Sequence, residues 1–160
     1  MPTKTAALIK SGLTPKQAGA IAAMLQQVVP FHQDAGANFT MTAATQAERN
    51  AGNVTRHIRR VDLTGQSMVK LVANVQTASA SVNTPRLLLS WSATFGGTYA
   101  ELAGVSVFTG TAGSVQDSGW LSIPEAARGL VFLALREIGG DASAAPAVGS
   151  VTALFNATGL

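Results

Sequence analysis

Two histidines, eight carboxylates and many serines are the groups in this 160-residue chain that could do acid–base, metal or nucleophilic chemistry. His32 lies in a polar stretch and His57 in an arginine-rich run, and neither sits at a recognised metal-ligand spacing. A zinc site needs three or four converging donors, so plain surface histidines are the simpler reading. No G-x-S-x-G elbow is present, and nothing ties a serine to either histidine. The carboxylates are Asp34, Glu48, Asp62, Glu101, Asp117, Glu125, Glu137 and Asp141. A glycosidase needs two of them facing each other across a sugar, and no local context flags such a pair. Asp117 or Asp141 with loop carbonyls would suit calcium, but a D-x-D-x-D spacing is missing. The glycine pairs at Gly96-Gly97 and Gly139-Gly140 follow apolar runs and read as turns, not as phosphate loops. The expectation is a non-enzymatic chain with no metal and no cofactor.

Aromatic side chains offer a different chemistry. Trp91, Tyr99 and Trp120 could stack on a sugar ring or anchor a protein partner. Trp91 alternates with Leu87, Leu89 and Phe95, which assigns it to a core. Tyr99 and Trp120 lie near turns and remain the candidate ligand or partner contacts.

These groups must be positioned by elements, and the elements change period near residue 36. Before it the chain is basic, with Lys4, Lys10 and Lys16 and no acid until Asp34. Residues 3–11 read as a short helix stopped by Gly12. Thr14, Pro15 and Gln17 form a capping-box start for a second helix. Ile21, Met24, Leu25 and Val28 then make one apolar stripe, and Pro30 ends it. The stripe can dock on its own sheet or on another chain. Residues 32–37 read as a linker.

From Asn38 the period is two. Phe39, Met41 and Ala43 open the first strand, and residues 45–54 form a polar loop. Ile58, Val61 and Leu63 mark a strand whose phase slips near Arg59-Arg60, the sign of a bulge. Thr64 to Ser67 is a turn, and Val69, Leu71, Ala73 and Val75 alternate with polar residues in a half-buried strand. Leu87 to Phe95, Val105 to Phe108, Trp120 to Ile123, Leu130 to Ile138 and Val148 to Phe155 follow, with Thr109 to Gly119 an exposed connection. Leu130 to Ile138 starts apolar on both faces and is expected to be a central strand. About eight short strands with unequal connections suit a jelly roll better than an up-and-down barrel.

Composition narrows the class further. Hydrophobic residues are 47% and charged residues 12%, the net charge is +3, and there is no cysteine. Disulfides and thiolate sites are therefore excluded. The basic residues are too scattered for a nucleic-acid face. No apolar run approaches the ~20 residues of a membrane span. Lys10 and Lys16 interrupt any secretory h-region. Neither nucleic acid nor membrane is expected as a partner.

Four stretches resemble the jelly-roll domains of tailed-bacteriophage virion proteins. They are Arg60-Val61-Asp62-Leu63-Thr64-Gly65 with Val69-Lys70-Leu71-Val72-Ala73; Pro85 to Trp91 running into Phe95-Gly96-Gly97-Thr98-Tyr99; Ile123-Pro124-Glu125-Ala126-Ala127-Arg128; and Ile138-Gly139-Gly140-Asp141. The run Leu13-Thr14-Pro15-Lys16-Gln17-Ala18-Gly19-Ala20-Ile21 is similar to the helical leads of phage head-fibre proteins. The resemblance implies a structural virion role, with other virion proteins as partners and assembly in the host cytoplasm.

The resulting expectation is a mainly β chain. Residues 1–33 form a helical attachment segment, and residues 34–160 an antiparallel jelly-roll sandwich of about eight strands. The attachment residues would be Lys10, Lys16, Ile21, Leu25 and Val28. The role would be capsid decoration or head fibre, as a homo-oligomer with a trimer the expected closed form. A carbohydrate-binding module touching host glycans through Tyr99 and Trp120 is the alternative.

Overall fold

In a computed structural model, the described residues are 10, 12, 14–17, 27–32, 39–40, 54–77, 86–106, 113–138 and 147–157. They contain ten strands: β1 (Gln27–His32), β2 (Phe39–Thr40), β3 (Val54–Asp62), β4 (Met68–Thr77), β5 (Arg86–Ser92), β6 (Ala100–Ser106), β7 (Ser114–Asp117), β8 (Leu121–Ser122), β9 (Leu130–Ile138) and β10 (Ala147–Asn156). All pairings are antiparallel. One sheet has the order β1-β10-β4-β7, with β2 also on β10 and β8 also on β4; the other has the order β3-β9-β5-β6. We call them sheet A and sheet B.

The topology is a jelly roll. β1 and β2 share one edge position on β10, and β7 and β8 share one on β4. The chain then reduces to four nested pairs: β1/β2 with β10, β3 with β9, β4 with β7/β8, and β5 with β6. Rolling this long hairpin brings β10 beside β4 and β9 beside β5.

Alternation decides which side faces the core. Val69, Leu71, Ala73 and Val75 of β4 are fully buried, as their period demands. In β10 the buried residues are Val148, Val151, Ala153 and Phe155. Their spacing breaks at Gly149, where the register with β4 shifts between Val148 and Ser150. A bulge there keeps both valines inward. The expected bulge in β3 lies between Arg56 and Arg59, with His57 in the left-handed region at φ 53°. β9 is central, between β3 and β5, and contributes Val131, Leu133 and Leu135 to the core.

The lead differs from expectation at its far end. The capping box forms: Thr14 Oγ1 accepts from the Gln17 N–H at 3.3 Å, and Gln17 Oε1 accepts from the Thr14 N–H at 3.1 Å. Gly12 has φ 101°, a left-handed helix stop. The helix does not run on to Pro30, however. Gln27–His32 is strand β1, paired with Thr152 to Phe155 and Val151 of β10. Val28 is therefore a strand residue and 54% exposed, not part of a helical stripe. Val29 and Phe31 are buried instead, because a period of two, set by pairing with β10, replaces 3.6. Pro30 sits in an edge strand, where the missing N–H is tolerated. Ile21, Met24 and Leu25 lie outside the described residues.

Two smaller differences concern the middle of the chain. β5 ends at Ser92, and the chain turns through Thr94–Gly97, with the Gly97 N–H on the Thr94 carbonyl at 3.2 Å. Phe95 is thus 71% exposed rather than in the core. The stretch read as a connection contains β7, whose Val115 points to solvent.

The two ends of the sandwich differ. At one end, the base, the β3–β4 turn meets the β8–β9 crossing. The Leu63 N–H donates to the Gly129 carbonyl at 2.8 Å, Ser67 to Asn156 at 2.9 Å and Ile123 to Ser67 at 2.8 Å. Leu63, Gln66, Ile123 and Ala127 are buried there. Gln27, where the lead joins, pairs with Phe155 at the same end. The connections 33–53, 78–85, 107–113 and 139–146 leave from the opposite end, the rim.

Candidate interaction site

The outer face of sheet B carries a pair of aromatic rings and a neighbouring leucine. Leu130 and Phe132 are consecutive outward residues of β9, because Val131 and Leu133 between and after them face the core. The Phe95 ring meets the Phe132 ring edge-on, with centroids 5.7 Å apart and planes at 66°. Leu130 is 55% exposed and Phe132 half-buried, so the three form one apolar patch at the base end. Arg60 stands opposite Phe132 and Asp62 opposite Leu130 across the β3–β9 ladder, giving the patch a polar border.

Asp62 is held in a turn. Its Oδ1 accepts from Thr64 Oγ1 at 2.6 Å and from the Thr64 N–H at 3.0 Å. The hydroxyl first, then the amide, keeps the carboxyl below the ordinary aspartate value of 3.8. Asp117 makes a similar turn, accepting from the Gly119 N–H at 2.8 Å. These two acids are occupied with turn geometry.

The remainder of this face is closed over. Arg136 of β9 donates from Nη1 to the Tyr99 carbonyl at 3.1 Å, on the far side of β5, so its side chain crosses that strand. Arg86 pairs with Glu101 at 3.1 Å above Gly104, where a Cβ would lie 2.5 Å from Leu88 Cδ2. Leu88, Ser90 and Ala134 are buried here, outside the main core. The buried Ser90 Oγ finds no hydrogen-bond partner among the described residues, and neither does Tyr99 Oη.

Tyr99 is therefore half-buried with its hydroxyl turned in. Trp120 lies between β7 and β8 on the edge of sheet A, 39% exposed, with Lys70 Nζ 5.5 Å from its ring centroid. The two belong to different sheets. Lys10 and Lys16 are both exposed. The patch of Phe95, Leu130 and Phe132 was not singled out in the sequence. Its signal was the apolar character of Leu130 and Phe132 on the second face of β9.

The sheet edges are blunted. β1 carries Pro30, and β7 and β8 are split by Ser118 to Trp120. Arg59 of β3 stands opposite the buried Leu133 yet is exposed, placing a charge on the inward side of an edge strand. Such devices suppress open-ended strand addition. Among the described residues no group of three His, Cys, Asp or Glu could hold a metal ion. Among them, too, no helix is long and apolar enough to cross a membrane.

No family model matches the chain, and no curated protein does. Among solved structures, a chain in the structure of infectious bursal disease virus, Gx strain, aligns with it. The TM-score is 0.41 and the identity 16%, over 84% of this chain and 32% of the viral one. This chain thus spans about a third of that one's length.

Proposed function

We propose that this chain is a non-enzymatic structural protein of a tailed-bacteriophage particle, a capsid decoration or head-fibre component working as a homo-oligomer. The basic N-terminal segment attaches it, and the sandwich is displayed or clamps neighbouring subunits. One observation carries the reading: the lead joins at the base, while four connections leave from the rim. On this reading attachment lies at one end of the sandwich and display at the other. The jelly roll itself supports it, being an architecture used in viral capsids. Lys10 and Lys16, exposed in the lead, are the attachment cations, and Ile21 and Leu25 its apolar contacts. Contact with a host glycan is the second reading, favoured only by the exposed Trp120.

The test is truncation before β1. A chain lacking residues 1–26 keeps every described strand and is expected to melt cooperatively with an unchanged β spectrum. It should no longer co-sediment with particles that the full chain decorates. Undiminished co-sedimentation would end the reading.

A further inference from the structure

At the base end, the outer face of sheet B carries two successive rows of opposite charge. In one row Arg60 of β3 stands beside Phe132 of β9, and in the next Asp62 stands beside Leu130. Arg60, Asp62, Leu130 and Phe95 are all exposed, and the Phe95 ring sits against Phe132. A cation with an apolar neighbour is thus followed, one pleat on, by an anion with an apolar neighbour. We infer that this face is a two-fold dimer contact, its partner being the same face of a second copy of this chain. The inference rests on the homo-oligomer of the proposed function and gives it a contact surface.

Symmetry turns the two rows onto each other. Consider a two-fold axis lying between two such faces, running across the strands midway between the rows. It reverses position along each strand and keeps the strand. Arg60 of one protomer then lies over Asp62 of its partner, and Phe132 over Leu130, each twice. Packed sheets stand ~10 Å apart, a gap that outward side chains fill from both sides. The charges are ready for such pairing. Both Thr64 bonds fall on Oδ1 of Asp62, which fixes the carboxylate and leaves Oδ2 to another donor. Among the described residues no carboxylate forms an ion pair with Arg60.

Charge also chooses the second copy over the chain's own lead. Residues 1–26 contain Lys4, Lys10 and Lys16 and no acid, so they offer a partner to Asp62 but none to Arg60. A second copy of the face answers both. Exposed ion pairs contribute little to affinity, so the rings and leucines supply the attraction and the charges set the register. A contact two rows high is smaller than the ~800 Å² per partner of a standard interface, so association is weak and is read at high protein concentration.

Charge exchange on the full chain tests it, by sedimentation equilibrium without particles. Wild type should form dimers. A homodimer of Arg60→Glu contains two like-charge pairs, and so does one of Asp62→Arg; each variant should associate about tenfold or more weakly. In a mixture of the two, every facing pair is again of opposite sign, so a heterodimer should form where each variant alone is monomeric. The chain carrying both changes should dimerise by itself. Leu130→Ser leaves the Thr64 bonds in place and should weaken the dimer through its apolar centre. Circular dichroism and a cooperative melt verify each fold. Should Asp62→Arg not fold, Arg60→Glu and Leu130→Ser decide alone, and undiminished dimers in both overturn the inference. A mixture with no recovery overturns it too. A wild type that dimerises indifferently to all these changes overturns it and leaves the homo-oligomer standing. A monomeric wild type overturns both; dimers released by removing residues 1–26 would then mean that the lead covers the face. Particle co-sedimentation is measured apart, so a failure of this contact and a failure of attachment are told from each other.

Discussion

Asp62 shows how much one side chain at the base can report. Its carboxyl is ionised more easily than an ordinary aspartate because Thr64 donates to it twice. A depressed folded value means stability present above about pH 4 and lost as pH falls through the lowered value. Asp62→Asn keeps an acceptor for Thr64 but removes the charge. The melting-temperature gap between wild type and Asp62→Asn should be widest near neutrality and should close on acidification below about pH 4. A gap constant from pH 6 to pH 2 would refute the linkage. At this scale the sequence was only partly legible. The Thr14–Gln17 capping box could be read directly, since local spacing determines it. Phe95 could not: alternation carried it inward, but the chain leaves the sheet at Ser92 and turns at Gly96, where φ is 72°. The burial of the Tyr99 hydroxyl has no local signature in the sequence.

At the scale of elements, β1 carries the lesson. Gln27 to His32 contains valines and a phenylalanine that suit a strand, yet Val28 also completes a helical stripe and Pro30 looks like a stop. Pairing with β10 decides between the two periods, and that partner is distant in the chain. β4 and β9 were legible because each is long enough for its own pattern to speak. β7 was not, with four residues and its one valine facing solvent. Phe31 is 3% exposed, so Phe31→Ala should cost about 3–5 kcal/mol in denaturant unfolding. Removing residues 1–33 should destabilise the sandwich in the same way, whereas removing residues 1–26 should not. Equal melting temperatures for the two truncations would mean that β1 adds nothing to the core.

The whole molecule is governed by its nested topology. β5 and β6 are joined by a short hairpin, while β1 and β10 pair Gln27 with Phe155. Closing the outer pair costs more chain entropy than closing the inner one, and such non-local pairing slows folding. Pulse-labelled hydrogen exchange during refolding should protect β5 and β6 amides before those of β1 and β10. Simultaneous protection would argue against inside-out closure. The jelly roll was legible as a class from strand count and connection lengths. The split edges and the unlike ends were not, since they arise only when the hairpin is rolled.

The same nesting has a consequence during synthesis. β1 leaves the ribosome early, but its partner is the last of the described strands to emerge. Until then the joint between lead and body has no sheet to hold it, and Val29 and Phe31 have no core to enter. Only a molecule translated through β10 can pair β1 and bury Val29 and Phe31, so a nascent chain or one cut short of β10 keeps these apolar side chains without the sheet that receives them.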